Sequence, residues 1–331
     1  MNIASAVVVR LFVTGLLTFA LRTAACAGDA NSAIDRGLAF LAKDAVAWRD
    51  QYKCASCHHA GLIVLAMNEA KQVGHTVDEP VLTEMTKWLT EAGTGKTSLP
   101  RPEGIPKGLN TKPIYYALGL ESNPAPDEAS TKALELLLAT VKEDQTENGS
   151  WAAWPNTRPP IFGFSDENMT LLALLSLVPA TAKDETAKTA VDKGVQWLSE
   201  TKTSEDAQSL ALRVILWRRV GRPPEESKPW ADIIASRQNA DGGWSQTPEL
   251  ASDAWATGQA LYALMDSGST AEDESIRRGV QFLIDTQRED GSWAMTSRPA
   301  KPEDPPSKNL MPIIGGGSAW GVLGLSRTQR K

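Results

Sequence analysis

The constraint that bears hardest on the fold is an alternation of two kinds of helical segment along almost the whole chain. One kind is striped. It reads Ile34-Asp35-Arg36-Gly37-Leu38-Ala39-Phe40-Leu41, then Val191-Asp192-Lys193-Gly194-Val195-Gln196-Trp197-Leu198, then Ile276-Arg277-Arg278-Gly279-Val280-Gln281-Phe282-Leu283, with weaker copies at 81–89, 131–138 and 230–236. The second kind is apolar on nearly all sides and opens with small or polar residues, at 57–73, 110–120, 165–178, 204–220, 252–265 and 318–325. A striped helix faces water on one side, whereas an all-round apolar helix is buried. The segments therefore predict six helical hairpins, with six buried inner helices surrounded by six outer ones. No polar capping repeat is evident at either end, so a closed ring is favoured over an open solenoid. The predicted class is all-α, an α/α toroid.

Three links between the two kinds of segment share a further pattern, Gln145…Gly149-Ser150-Trp151, Gln238…Gly242-Gly243-Trp244 and Gln287…Gly291-Ser292-Trp293. Glycine permits a left-handed turn after the outer helix, the glutamine amide can satisfy backbone groups left over there, and tryptophan covers the junction with apolar area. These read as stability devices rather than catalytic groups.

On these residues the chain resembles the squalene cyclase and prenyltransferase repeat family, and the resemblance covers nearly all of residues 28–331. It implies the α/α-toroid fold, which by itself does not fix chemistry. In the family's proton-initiated cyclases an Asp-x-Asp-Asp-Thr motif heads an inner helix, and its middle aspartate protonates an alkene. The corresponding stretch is Asp253-Ala254-Trp255-Ala256-Thr257, which keeps the first aspartate and the threonine and replaces the other two carboxylates. Asp253 is thus the one acid the resemblance leaves to a cyclase. The zinc site of the protein prenyltransferases relies on a cysteine in a late repeat and does not carry over, nor does a basic diphosphate pocket.

A different chemistry is suggested by Lys53-Cys54-Ala55-Ser56-Cys57-His58-His59, which holds two of the three cysteines and two of the three histidines. Two thiols three apart with a histidine after the second is the pattern of covalent haem attachment, with Cys54 and Cys57 joined to the macrocycle and His58 as the axial ligand. A zinc site using Cys54, Cys57 and His58 or His59 is an alternative that still needs a fourth ligand, and a buried or disulfide-linked pair is the structural one. For the distal haem position the sequence offers Met311, in a Met-Pro pair ahead of the sixth inner segment, or no ligand at all. Met169 is the other methionine near that level, whereas His59 and His75 are poorly placed.

Residues 1–27 read as an export signal: Arg10, an apolar run from Leu11 to Leu21, then Ala25-Cys26-Ala27 before Gly28. The run is too short for a membrane span. Removal of this segment takes Arg10 and Arg22 with it and moves the net charge from −6 to −8, which argues against nucleic acid as a partner. The expected location is periplasmic or extracellular, where covalent haem is normally attached.

In a toroid the inner helices point their N-termini at one mouth, so that mouth should gather Asn110, Lys112, Ser165, Asp166, Glu167, Glu205, Asp206, Ser252, Asp253 and Gly315-Gly316-Gly317-Ser318. Each Ser or Asp also fits plain helix capping, and Phe162, Phe164, Trp255 and Trp320 would wall an apolar cavity. The leading expectation is an exported haem c protein on a toroid scaffold, serving electron transfer with a redox partner protein or binding a small ligand at the mouth. The alternatives are a terpenoid cyclase or prenyltransferase relative acting on a polyprenyl substrate, and a zinc-binding interaction module. An enzymatic role is left open.

Overall fold

The structure, a computed structural model, describes residues 29–52, 57–95, 111–153, 160–161, 165–298 and 308–330, with only the backbone described for Cys57 and His58. Helix α1 spans 29–52. A π-helical turn at Cys57–Gly61 runs directly into α2 (Leu62–Gln72), followed by α3 (Glu79–Gly93), α4 (Thr111–Glu121), α5 (Glu128–Glu143) and α6 (Asp166–Leu177). After a 3-10 turn come α7 (Glu185–Glu200), α8 (Ala207–Arg219), α9 (Pro224–Ser236), α10 (Ala254–Asp266), α11 (Glu274–Thr286) and α12 (Met311–Arg327).

The two patterns in the sequence separate as anticipated. In α11 the buried residues are Ile276, Gly279, Val280, Phe282 and Leu283, one stripe, whereas in α6 every residue from Glu167 to Leu177 is buried. Even-numbered helices form the inner ring: α2 contacts α4, α4 contacts α6, and so on through α10 and α12, and α12 contacts α2. The ring is closed. Aspartate or serine side chains start α3, α5, α6, α7, α8 and α10 by accepting from free N–H groups of the first turn, as Asp127 does from Ser130 N and Ser165 from Asn168 N.

The three Gln-x-x-x-Gly-x-Trp links have one geometry. Gln145, Gln238 and Gln287 each donate both to the carbonyl of their own turn glycine and to a carbonyl in the first half of the next outer helix around the ring, at Ala190, Ser275 and Ala33 respectively. The indole N–H of Trp151, Trp244 and Trp293 donates 2.7 Å to the carbonyl ten residues back, at Val141, Ile234 and Leu283. Gly149, Gly242 and Gly291 have φ of 98°, 90° and 87°, a region in which a Cβ is strained. That Cβ would also press on the carbonyls of Lys193, Arg278 and Arg36.

Where the tryptophan pattern is missing, after α7, a buried arginine substitutes. Arg213 on α8 donates to the carbonyls of Leu198 and Thr201, and its Nε lies 2.6 Å from Glu167 Oε1. Trp217 and Trp230 flank its guanidinium at 5.6 and 5.3 Å. Glu167, expected at a polar mouth, is instead half of this buried pair.

Both described histidine side chains are built into packing. His59 is 2 % exposed, stacks on Trp48 with ring centroids 3.8 Å apart, and has Nε2 3.2 Å from Asp44 Oδ2. His75, just past α2, bonds Asp35 Oδ1 at 2.7 Å and Gln329 Oε1 at 3.0 Å, tying the first outer helix to the end of the chain.

Candidate functional site

A cavity of about 600 Å³ runs along the axis of the ring, and every inner helix contributes to its wall, for example through Leu65, Leu118, Leu175, Leu212, Trp255 and Leu323. Helices α8 and α10 show how the register works. Their N-caps are Asp206 and Asp253, and the cavity side chains follow at matched steps: Gln208 with Trp255, Leu212 with Gln259, Ile215 with Tyr262, Arg219 with Asp266. Residues four, three and four apart share a helix face, so parallel neighbours in register line one lumen.

The two ends of the lumen differ. At the C-terminal ends of the inner helices stands a charged rim of Glu69, Glu121, Arg218, Arg219, Asp266, Arg327 and Arg330. Tyr262 donates 2.8 Å to Glu69 Oε1 and receives Arg219 Nη2 at 3.1 Å, Arg330 lies 3.1 Å from Glu69, and Arg327 pairs with Asp266 while covering the Tyr262 ring at 4.8 Å. Burial pushes the Tyr262 hydroxyl well above the usual phenol range, with the Glu69 charge adding to it. Glu121 has its carboxyl raised, first by burial; the Arg219 charge opposes this and the Glu69 charge reinforces it. The polar mouth expected from the sequence is at the opposite end of the inner helices. The signal for the rim was a charge closing otherwise apolar inner segments, at Glu69, Glu121, Arg219, Asp266 and Arg327.

Asp253 caps α10 and is 2 % exposed. Its Oδ1 accepts from Ala256 N at 2.9 Å, and its Oδ2 accepts from Gln246 Nε2 at 2.6 Å, Thr296 Oγ1 at 2.5 Å and Thr296 N at 3.3 Å. Burial raises its pKa although all of these bonds oppose the rise. Asp253 is therefore buried and ringed by donors, not solvated, and it is not part of the cavity wall. Trp255, standing where the cyclase motif has its middle aspartate, is.

The remaining residues expected at the mouth fall mainly into capping and packing. Ser165 and Asp206 cap α6 and α8, Asp166 accepts from Ala153 N, and Glu205 pairs with Arg237. Ser252 Oγ receives from Asn239 and donates to Asp241 Oδ1. Gly315, Gly316 and Gly317 make room for the Asp44–His59 pair, Trp255 and Met295, while Ser318 receives Trp293 N. Asn110, Phe162 and Phe164 lie outside the described residues.

Of the haem constellation, Cys54 and the side chains of Cys57 and His58 lie outside the described residues. Met311 does not lie ahead of the sixth inner helix: it is the first residue of α12 and 45 % exposed, because Pro312 fits the first turn of a helix. Met169 is buried within α6. Among the described residues no group of three or more His, Cys, Asp or Glu side chains is placed to hold a metal, and no helix is long and apolar enough to cross a membrane.

Residues 226–301, which carry two of the tryptophan links and α10, match the Squalene-hopene cyclase C-terminal domain family. The squalene cyclase family is the one this match supports. The squalene-cyclase-like character extends beyond that segment. Dammaradiene synthase of Dryopteris crassirhizoma is 23 % identical over 263 residues, covering 71 % of this chain and 35 % of that protein. Squalene–hopene cyclase of Bradyrhizobium diazoefficiens is 42 % identical over 78 residues, 19 % of this chain and 11 % of that protein. The chain thus spans about a third or less of the curated relatives it matches. Among solved structures, the type II terpene cyclase MstE from Scytonema, in complex with geranylgeranyl dihydroxybenzoate, superposes with a TM-score of 0.58 at 13 % identity, covering 92 % of this chain and 98 % of that one. At that identity the likeness is one of fold. Taken together the matches run to terpene cyclases, and they overturn the expectation of a haem protein for electron transfer or small-ligand binding at the mouth; the cyclase alternative fits them better.

Proposed function

We propose that this chain is a terpene-cyclase-like protein that houses a polyprenyl or triterpenoid molecule in its central cavity. The observation that carries the reading is the cavity itself: its wall is built by all six inner helices, and leucine, isoleucine and tryptophan dominate its middle. Burying apolar ligand surface there supplies the driving force. The likeness to enzymes named for dammaradiene and squalene–hopene supports the same substrate class.

The reading does not make Asp253 the proton donor. A carboxyl that protonates an alkene must present its O–H to the substrate, yet the groups bonded to Asp253 are donors that favour its anion. Burial raises the carboxyls of both Glu121 and Asp266 in the cavity lining, and because Asp266 is paired with Arg327, Glu121 is the candidate acid. Export through residues 1–27 belongs to the proposal as well, and N-terminal sequencing of the mature protein checks it.

Titration of the purified chain with squalene and with geranylgeraniol, followed by tryptophan emission from Trp255 and Trp320, tests the cavity reading. Saturable quenching supports it. Emission that does not change, or changes linearly without saturation, sinks it.

A further inference from the structure

The inner end of the cavity is not apolar. Gln208, Trp255 and Gln259, only 3 %, 1 % and 1 % exposed, border it from adjacent turns of α8 and α10. Gln208 Nε2 and Oε1, Trp255 Nε1 and Gln259 Oε1 are buried with no hydrogen-bond partner. Gln208 and Trp255 occupy the same register position on neighbouring inner helices, and Gln259 stands one turn above Trp255. Buried polar atoms without partners carry the full cost of desolvation. These side chains line the cavity, and a group placed in it can pair the amides once they turn toward the lumen.

We infer that the ligand carries one neutral oxygen function, a hydroxyl or carbonyl, at the end that lies against Gln208, Trp255 and Gln259. This rests on the cavity reading above and narrows its substrate class. The chemistry follows from the inventory: an amide N–H and an indole N–H can donate to a carbonyl or hydroxyl oxygen, and two amide carbonyls can accept from a hydroxyl. Among the described residues no cation lines that end of the cavity: its arginines stand at the rim, and buried Arg298, outside the lining, is shared by the charges of Asp206 and Asp253. A carboxylate or phosphate there would be desolvated close to the Asp206 and Asp253 carboxylates, which already share the charge of Arg298, whereas an alcohol would be bonded by the amide and indole groups. From Gln208 to Arg219 the helix rises about 16 Å, so an apolar chain behind the oxygen passes the leucine wall toward the rim.

The test compares three ligands of one carbon skeleton on the full chain at pH 8: geranylgeraniol, the corresponding hydrocarbon and geranylgeranoic acid. The alcohol is expected to bind about tenfold tighter than the hydrocarbon and tighter than the carboxylate, as for roughly one to two well-made hydrogen bonds. In the double variant Gln208→Leu with Gln259→Leu that preference should vanish, with the hydrocarbon bound as tightly as the alcohol. Replacing unpartnered buried amides by apolar groups of similar size leaves the fold intact, so the melting temperature of the empty variant should equal or exceed that of the parent. Equal binding of alcohol and hydrocarbon by the parent, or a preference that survives in the variant, overturns the inference and leaves the cavity reading standing. Failure of all three to bind the parent removes both.

Discussion

The hydroxyl of Thr296 donates 2.5 Å to Asp253 Oδ2, stitching the segment after α11 to the N-terminus of α10. The same oxygen receives Gln246 Nε2 at 2.6 Å. Capping alone would make asparagine an equal substitute, because both rank among the best N-cap residues. Here Asp253→Asn sets an NH2 group against three donors, Gln246 Nε2 and the Oγ1 and N of Thr296, and only a local rearrangement relieves it. The substitution should cost about 1–3 kcal/mol in denaturant unfolding, without abolishing ligand binding. A cost below about 0.5 kcal/mol would show that Oδ2 is dispensable, and loss of a cyclised product in this variant alone would restore Asp253 as the acid.

Trp244 and Trp293 each bury their rings and bond a helix-terminal carbonyl. Alanine at either position should destabilise by about 3–5 kcal/mol. A calorimetric melting temperature that does not move would show that these rings do not seal the junctions.

Arg213 and Glu167 stand in for the missing tryptophan link after α7. Arg213→Ala leaves the Glu167 carboxylate buried and uncompensated, and the expected loss is about 3–5 kcal/mol. Adding Glu167→Gln to that variant should recover part of it. Additive losses in the double variant would mean that the two side chains are not coupled.

Glu121 gives the protein a pH dependence of known sign. Its folded carboxyl is raised by burial, with Arg219 opposing and Glu69 reinforcing, so between the ordinary glutamate value of about 4.3 and the raised one the folded state binds more protons than the unfolded state. Its contribution to stability is present below that window and falls as pH rises through it. Glu121→Gln should therefore gain on the parent between pH 4 and pH 8 in urea midpoints. A difference between the two proteins that is constant with pH would contradict this.

The fold was legible because burial periodicity survives in the sequence: the run at Met169–Leu177, apolar but for Thr170 and Ser176, and the stripe at Ile276–Leu283 each announce a position in the ring. The lumen was harder to read. Whether Gln259 faces the cavity or a neighbour depends on the register between α8 and α10, which no local pattern encodes. The charged rim was missed because Glu69 and Arg330, far apart along the chain, meet only after closure of the ring. Cys54-Ala55-Ser56-Cys57-His58 drew attention to itself as a compact cluster. The cavity is assembled from single residues on six helices.

The most direct measurement is equilibrium binding of tritiated geranylgeraniol to the parent chain and to Leu65→Trp, which fills the lumen from a partly exposed wall position on α2. A ligand housed in the ring should bind the parent saturably with one molecule per chain, and Leu65→Trp should bind at least tenfold more weakly with an unchanged melting temperature, about 1.4 kcal/mol or more in affinity. Non-saturable uptake by the parent, or equal affinity in the two proteins, would contradict a ligand in the central cavity.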